Sequence, residues 1–231
     1  MIVIYLEFEI IEKQGRSYKM NVLVVKANNR PSTEAISSKM YETFMENIDV
    51  DNVTVYDVFE EYTPYFGQDF FAIFGKLQNG ETLTEQEQAM LAAQQKAQDL
   101  FKAADVIVYA FPLWNLTIPA KLQTFIDYVY QAGFTFKYGA QGEFIQLQAG
   151  KKAILLNARG GIYSTPETAP MEMAATYMRN VVTGIFGHDI IEEVIIEGHN
   201  AAPQNAEQIV ADGLERVAQV AKEVKNVAIN A

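Results

Sequence analysis

Short apolar segments alternate with segments of helical periodicity along most of this chain, and this alternation limits its fold more than any other feature. A short, continuously apolar run is typical of a strand that is buried on both faces. We therefore predict strands at residues 21–26, 53–56, 105–111, 152–157 and 189–196. Apolar spacing predicts helices at residues 34–47, 69–78, 84–104, 120–130, 171–186 and 204–225, the third with a capping box of Thr84 and Glu87.

Strands that alternate with helices pair in parallel, because right-handed crossover connections place successive helices on the faces of the sheet. The predicted fold class is therefore α/β, a flavodoxin-like three-layer fold with a five-stranded parallel sheet in the order 2-1-3-4-5. Residues 133–148 differ, since their apolar residues alternate with polar ones around residues 139–142. This pattern predicts a β-hairpin inserted before the fourth strand of the sheet.

The composition indicates one compact domain over residues 20–231, since 49% of the residues are hydrophobic and 20% are charged. A net charge of −11 argues against nucleic acid or an anionic membrane as a partner, because both require a basic surface. The chain has no cysteine, so redox chemistry requires a bound cofactor. We interpret His188 and His199 as surface or loop residues and predict no metal site, because their spacing does not make a helical ligand pair.

Residues 1–19 precede the first predicted strand as an N-terminal extension. Glu7 and Glu9 interrupt its apolar run, and no positive residue precedes that run, so it fits neither a signal peptide nor a membrane span. We therefore predict a cytoplasmic protein. Residues 15–17 can be encoded by a purine-rich ribosome-binding sequence just upstream of Met20, and our hypothesis is that Met20 is the native start.

Three loops at the carboxyl ends of predicted strands are candidate ligand contacts, because open α/β sheets bind ligands at that edge. The first loop, residues 27–34, enters a helix whose free N–H groups can bind a phosphate. It matches neither a Walker A sequence nor a GxGxxG fingerprint. A simple helix cap by Ser32 or Thr33 explains the loop equally well.

The second loop is bracketed by Pro112 and Pro119 and contains the only tryptophan, Trp114. The two prolines restrict the backbone, so the residues between them can present N–H and C=O groups at fixed positions. Asn115 offers a donor and an acceptor that suit the pyrimidine edge of a flavin. A core position for Trp114 is the alternative interpretation.

The third loop follows the fourth strand of the sheet and contains Arg159, Gly160 and Gly161. The glycines permit close approach of the backbone to a ligand, and the arginine could place positive charge where a reduced flavin accumulates negative charge. A turn without a ligand is the alternative.

From about Met20 to its end, the chain resembles the FMN-dependent NADH-azoreductases, also described as FMN-dependent NADH:quinone oxidoreductases. The resemblance rests on Val-Lys-Ala-Asn-Asn-Arg-Pro at 25–31, Pro-Leu-Trp-Asn-Leu-Thr-Ile-Pro at 112–119 and Ala-Arg-Gly-Gly-Ile-Tyr at 158–163. It implies that FMN is bound, with its phosphate at the start of the first helix and its isoalloxazine along the other two loops. The implied cofactor-binding residues are Ala35, Ile36, Ser37, Leu113, Trp114, Asn115, Leu116, Ala158, Arg159, Gly160 and Gly161.

The same resemblance implies that NADH donates a hydride to the flavin, which then reduces quinones to hydroquinones or azo compounds to amines. This is a two-electron, ping-pong reaction in which the cofactor carries the chemistry, so we name no catalytic residue. The resemblance also implies a homodimer with the flavin near the interface. An aromatic segment is a candidate for that interface or for the core, and it contains Tyr62, Tyr65, Phe66, Phe70 and Phe71.

A flavodoxin-type one-electron carrier is the main alternative, because it would share the fold and the FMN. The inserted hairpin would have no role in such a carrier. A response-regulator receiver requires acidic residues after the first strand, where this chain has Lys26, Ala27, Asn28 and Asn29. A flavin-free hydrolase is a further alternative, but the chain lacks a Gly-x-Ser-x-Gly elbow.

Overall fold

The computed structural model describes residues 19–227, and its centre is a parallel sheet of five strands. The strands of the chain are β1 (Asn21–Lys26), β2 (Asn52–Asp57), β3 (Val106–Pro112), β4 (Phe136–Tyr138), β5 (Phe144–Gln146), β6 (Lys152–Arg159) and β7 (Asp189–Glu197). The sheet has the order β2-β1-β3-β6-β7 with every neighbouring pair parallel. The strands β4 and β5 form a separate antiparallel hairpin. With the hairpin left out of the count, the order is 2-1-3-4-5, so the predicted fold is confirmed.

Six α-helices lie among the described residues. They are α1 (Ile36–Asn47), α2 (Gln68–Gln78), α3 (Glu85–Ala103), α4 (Ala120–Val129), α5 (Ala174–Arg179) and α6 (Ala206–Glu223). The predicted capping box at the start of α3 is confirmed, since the Thr84 hydroxyl accepts a hydrogen bond from the Glu87 N–H and the Glu87 carboxylate accepts one from the Thr84 N–H.

The sheet separates two apolar cores, because successive side chains of a strand point to opposite faces. Leu23, Ile107 and Leu155 belong to the core that includes buried residues of α3, α4 and α5. The neighbouring positions Val24, Val108 and Ile154 belong to the core that includes residues of α1 and α6. Both faces of the sheet are therefore covered, and its carboxyl edge remains as the place where loops converge.

The predicted helix over residues 171–186 is wrong in its start, which lies three residues later, and in its geometry, which changes from α to π. A 3₁₀ turn over Ala169–Met171 is followed by α5, and a π-helix over Asn180–Ile185 continues directly from α5. The side chain of Glu172 accepts the N–H groups of Ala175 and Thr176, which fixes the helix start two residues beyond Glu172. Hydrogen bonds from a side chain to the backbone cannot be predicted from apolar spacing. That spacing also does not distinguish 3₁₀, α and π turns.

His188 lies in the loop between the π-helix and β7, so the loop interpretation is correct for it and the surface interpretation is wrong. Its side chain is 2% exposed and lies against two phenylalanine rings, with centroid distances of 5.3 Å to Phe101 and 5.7 Å to Phe186. Phe186 is only two residues away, but Phe101 lies on α3, so the burial of His188 depends on the tertiary fold.

The proposed extension falls almost entirely outside the described part of the chain, so the hypothesis that Met20 is the native start stays a prediction. Within residues 19–227, no helix has both the length and the apolar character that crossing a membrane requires. In the same range, no group of three or more His, Asp or Glu side chains is arranged to hold a metal ion.

Candidate functional site

The structure brings the three predicted loops together at the carboxyl edge of the sheet. The strands β1, β3 and β6 are neighbours, and each of them leads into one of the loops. The Ala27 N–H donates to the Ala110 carbonyl at 2.9 Å, and the Leu113 N–H donates to the Ala158 carbonyl at 2.8 Å. Parallel pairing thus continues to the loop entrances and sets the three loops side by side.

The first loop is held by side chains of its own residues and of α1. The Asn28 amide donates to the Ser37 hydroxyl at 2.8 Å and accepts the Arg30 N–H at 3.0 Å, while the Ser38 hydroxyl donates to the Arg30 carbonyl at 2.7 Å. The serines therefore shape the loop. Since the residue before α1 is Ala35 and no side chain caps the helix, the interpretation of Ser32 or Thr33 as its cap is wrong.

The start of α1 has the chemistry of an anion site. The first N–H groups of a helix have no carbonyl partner within the helix, and the helix dipole places partial positive charge there. In α1 these groups belong to Ile36, Ser37 and the residue after it, and Ala35 precedes them in an extended conformation. A phosphate group would satisfy these donors without any side-chain hydroxyl.

The second loop is a tight two-residue turn in a strained conformation. Trp114 and Thr117 exchange two backbone hydrogen bonds, of 2.9 and 3.1 Å. The central residues Asn115 and Leu116 have φ angles of 49° and 71°, as a type I′ turn requires. Asparagine tolerates this left-handed region, but for leucine it costs roughly 1–2 kcal/mol. Strain of this kind is concentrated at ligand-binding sites.

Trp114 is only partly buried, so it is not a simple core residue. Its ring meets the Phe59 ring edge-on, with 6.2 Å between centroids. Phe59 follows β2 and precedes the aromatic segment in the chain, so this contact connects the second loop to the start of that region. Asn115 is exposed, which leaves its amide available to a ligand.

Arg159 lies among carboxylates, whereas the sequence suggested an arginine that is free to contact a flavin. Its side chain is 7% exposed, and its Nε donates to Glu197 Oε2 at 2.9 Å. Its Nη1 lies 3.6 Å from Glu172 Oε1. Two carboxylates therefore offset the charge of Arg159, which is not free to interact with a ligand as an unpaired cation.

The charged carboxylate of Glu197 stabilises the same loop. Partial burial acts to raise the pKa of its carboxyl group, but hydrogen bonds from Ser164 and from the Tyr163 N–H, together with the Arg159 charge, lower that pKa overall. The carboxylate thus joins the end of β7 to the loop that follows β6.

Gly160 packs closely against another residue of the protein, Asn200. A Cβ atom at this position would lie 2.3 Å from the Asn200 Nδ2 atom, and the Asn200 N–H donates to the Gly160 carbonyl at 3.0 Å. At Gly161 a Cβ atom would lie 3.0 Å from the Tyr163 ring. Close packing against Asn200 and Tyr163 is therefore a second explanation for the two glycines, beside the close approach of a ligand.

Sequence reasoning missed two kinds of residue at this edge. Asn157 is fully buried and donates to the Phe111 carbonyl at 3.1 Å, while its Oδ1 atom has no hydrogen-bond partner among the described residues. An amide that ends a buried apolar strand could have identified it. Glu172 and Glu197 had no such sequence pattern, because only the fold brings them to Arg159.

The aromatic segment divides into core and surface residues. Phe70 is buried, so the core interpretation is correct for that residue. Tyr62, Tyr65 and Phe71 are each more than half exposed. The Lys121 ammonium group donates to the Thr63 carbonyl at 2.9 Å, which ties the segment to the start of α4 beside the second loop.

Comparisons with known proteins agree with this architecture. The sequence profile of a family described as having a flavodoxin-like fold matches residues 20–221. A Bacillus cereus protein named FMN-dependent NADH:quinone oxidoreductase 3 is 47% identical over 204 residues, which cover 87% of this chain and 97% of that protein. The crystal structure of an azoreductase from Bacillus anthracis has a TM-score of 0.79 and 46% identity, with 88% of this chain and 99% of that chain covered. The structure of azoreductase AzrA has the same TM-score and coverage at 47% identity.

Proposed function

This chain belongs to the flavodoxin-like family of FMN-dependent NADH:quinone oxidoreductases and azoreductases, and from that premise we propose that it reduces quinones to hydroquinones and azo compounds to amines with NADH. The observation that carries the proposal is the convergence of three loops at one sheet edge. Bound FMN would supply the two-electron chemistry, accepting a hydride from NADH and then reducing the acceptor in ping-pong order.

The residues present fit FMN in three places. The N–H groups at the start of α1, preceded by Ala35 and including Ile36 and Ser37, would hold the phosphate dianion. Leu113, Trp114, Asn115 and Leu116 would lie along the isoalloxazine, and Ala158, Arg159, Gly160 and Gly161 would flank its other edge. The buried Asn157 carbonyl oxygen, which lacks a partner among the described residues, supplies a further acceptor at the same edge.

The protein would contribute binding and orientation. The type I′ turn holds the backbone groups of the second loop in one arrangement, and Pro119 fixes the backbone directly before α4. Trp114 and Phe59 would limit the access of water on that side. No side chain is required as an acid or base, since solvent can supply the protons, so we assign no catalytic residue.

We also propose that the protein works as a homodimer in the cytoplasm. The exposed aromatic side chains Tyr62, Tyr65 and Phe71 support an interface, because large apolar groups clustered at a surface are typical of protein contacts. They lie on the segment that follows Phe59, which contacts the second loop, so a second copy bound there would lie near the proposed flavin.

The first test is a spectroscopic titration of the purified protein. We expect a yellow protein that bleaches with NADH in the absence of oxygen and recovers its colour when a quinone is added, without any other protein. A one-electron carrier would instead require a partner protein for reduction by NADH. A colourless protein that does not bind added FMN would contradict the assignment of all three loops.

The variant Ile36→Pro tests the phosphate site specifically. Proline removes one N–H group at the first helical position, where its ring is tolerated, and the extended conformation of Ala35 suits a residue before proline. We expect the Kd for FMN to rise about tenfold, because one charge-assisted hydrogen bond to the phosphate is lost. Riboflavin has no phosphate and is the matched control, so its Kd should change little. An equal loss for both flavins would place the phosphate elsewhere.

A further inference from the structure

One buried carboxylate pairs with the end of β6, and the residue after it bonds to the second loop, so two sides of the proposed flavin site are connected. We propose that Glu172 is a positioning residue, which holds the loop of residues 113–116 and the loop of residues 158–161 in a fixed relation. This inference rests on the proposed function, since those loops are the ones assigned to the isoalloxazine. The contacts themselves are independent of that assignment.

The burial of Glu172 is unusual for its surroundings. Its side chain is 5% exposed, whereas the adjacent Met171 and Met173 are 46% and 48% exposed. A carboxylate is costly to bury unless charged or hydrogen-bonding partners compensate for its lost hydration. The charged residue therefore faces inward between two apolar residues that face outward. Its burial requires partners that compensate for its charge.

The first partner is the loop that follows β6. Glu172 Oε1 lies 3.6 Å from Arg159 Nη1, and the Arg159 guanidinium also donates to Glu197. Arg159 is the last residue of β6 and is followed directly by Gly160 and Gly161. The ion pair thus connects Glu172 to one side of the proposed flavin site.

The second partner is the start of α5. Glu172 Oε1 accepts the Ala175 N–H at 2.8 Å, and Oε2 accepts both the N–H and the hydroxyl of Thr176 at 3.1 Å. These bonds fix the backbone just before α5, where the Met173 N–H donates to the Leu116 carbonyl at 3.0 Å. Leu116 is the strained residue of the second loop, so the same carboxylate stabilises both sides of the site.

A simple helix cap would not explain this arrangement. Capping α5 requires only the bonds to Ala175 and Thr176, which an exposed side chain could also make. The additional ion pair with Arg159 and the bond from Met173 to Leu116 connect the cap to both loops. Loss of the Glu172 charge should therefore loosen the two loops together, while Arg159 keeps its pair with Glu197.

The test uses Glu172→Gln and a readout inside the second loop. Trp114 is the only tryptophan of the chain, so its fluorescence reports this loop without any flavin present. We expect acrylamide to quench Trp114 about twofold more efficiently in the flavin-free variant, because local opening exposes the ring. The control is Glu193→Gln, which removes the ion pair with Arg179 at the other end of α5. Its quenching should equal that of the wild type.

Flavin binding gives the second readout. In Glu172→Gln the Kd values for FMN and for riboflavin should rise by the same factor, about tenfold, since the phosphate site at α1 is untouched and preorganisation of the ring site is lost. The melting temperature is measured in parallel. A variant that melts lower but shows wild-type quenching and wild-type flavin affinities would overturn the proposal and leave Glu172 as a cap only.

If Glu172→Gln does not fold, Thr176→Val decides the question, because it removes only the hydroxyl bond to Glu172. A smaller increase in Trp114 quenching supports the positioning role, and unchanged quenching overturns it. The two proposals fail differently. A wild-type protein that does not bind FMN contradicts the proposed function, whereas normal FMN binding with no effect of Glu172→Gln contradicts the positioning role alone.

Discussion

At the scale of single residues, His188 shows how far burial changes the chemistry of a side chain. Burial among aromatic rings lowers the pKa of its imidazole to about 3, and the nearby Lys151 charge acts in the same direction. The Gln148 backbone and the Asp189 carboxylate oppose this shift and do not cancel it. His188 is therefore neutral in the folded protein at every pH at which the enzyme is expected to work.

This shift predicts a pH dependence of stability. Below pH 6.5 the unfolded chain binds a proton at His188 that the folded protein does not bind until about pH 3, so the free energy of unfolding falls as the pH falls through this window. Between pH 7 and pH 5 the loss is about 2 kcal/mol, at about 1.4 kcal/mol for each pKa unit. Urea unfolding at both pH values should show this loss in the wild type. In His188→Leu, which has no titrating group there, the difference between the two pH values should be smaller by that amount.

At the scale of elements, two helices of similar role begin in different ways. The helix α3 begins with a capping box at Thr84, whereas α1 begins at Ala35 without any side-chain cap. The difference fits their positions, because a cap would occupy N–H groups that α1 keeps free at the proposed phosphate site.

Substitution of threonines before the two helices tests this difference. Thr84→Ala should lower the free energy of unfolding of the flavin-free protein by about 1 kcal/mol, since it leaves the Glu87 N–H without its acceptor. The matched control is Thr33→Ala before α1, which is exposed and caps nothing, and which should change stability by less than about 0.5 kcal/mol. Equal losses in chemical denaturation would mean that Thr33 does cap α1.

At the scale of the whole molecule, the proposed homodimer can be tested by substitutions on the protein surface. We expect sedimentation equilibrium to give twice the mass of the 25.9 kDa chain. The double substitution Tyr65→Glu and Phe71→Glu should give a monomer, because it places charges in the centre of the proposed apolar interface. Ala211→Glu, on an exposed position of α6 that lies on the opposite face of the sheet, should remain dimeric. A dimer that survives the double substitution would place the interface elsewhere.

The sequence by itself determined the elements and their order. Apolar runs such as residues 21–26 and 105–111 differ from helical spacing within a few residues, so local periodicity was sufficient to predict five parallel strands, the helices and the hairpin. Chain connectivity then placed the three loops at one edge, because every strand of a parallel sheet ends there. The motifs in those loops were sufficient to indicate the family.

The tertiary structure decided which side chains are free and which are bound. Arg159 has an ion pair with Glu197, 38 residues later, and Gly160 packs against the side chain of Asn200. The contact of His188 with Phe101, which lies on α3, is of the same kind. Local sequence cannot contain these contacts, since each depends on segments that meet only when β6, β7 and the helices have packed. The physical reason is that periodicity records which face of an element is apolar, whereas charge pairing and close packing depend on what lies opposite that face.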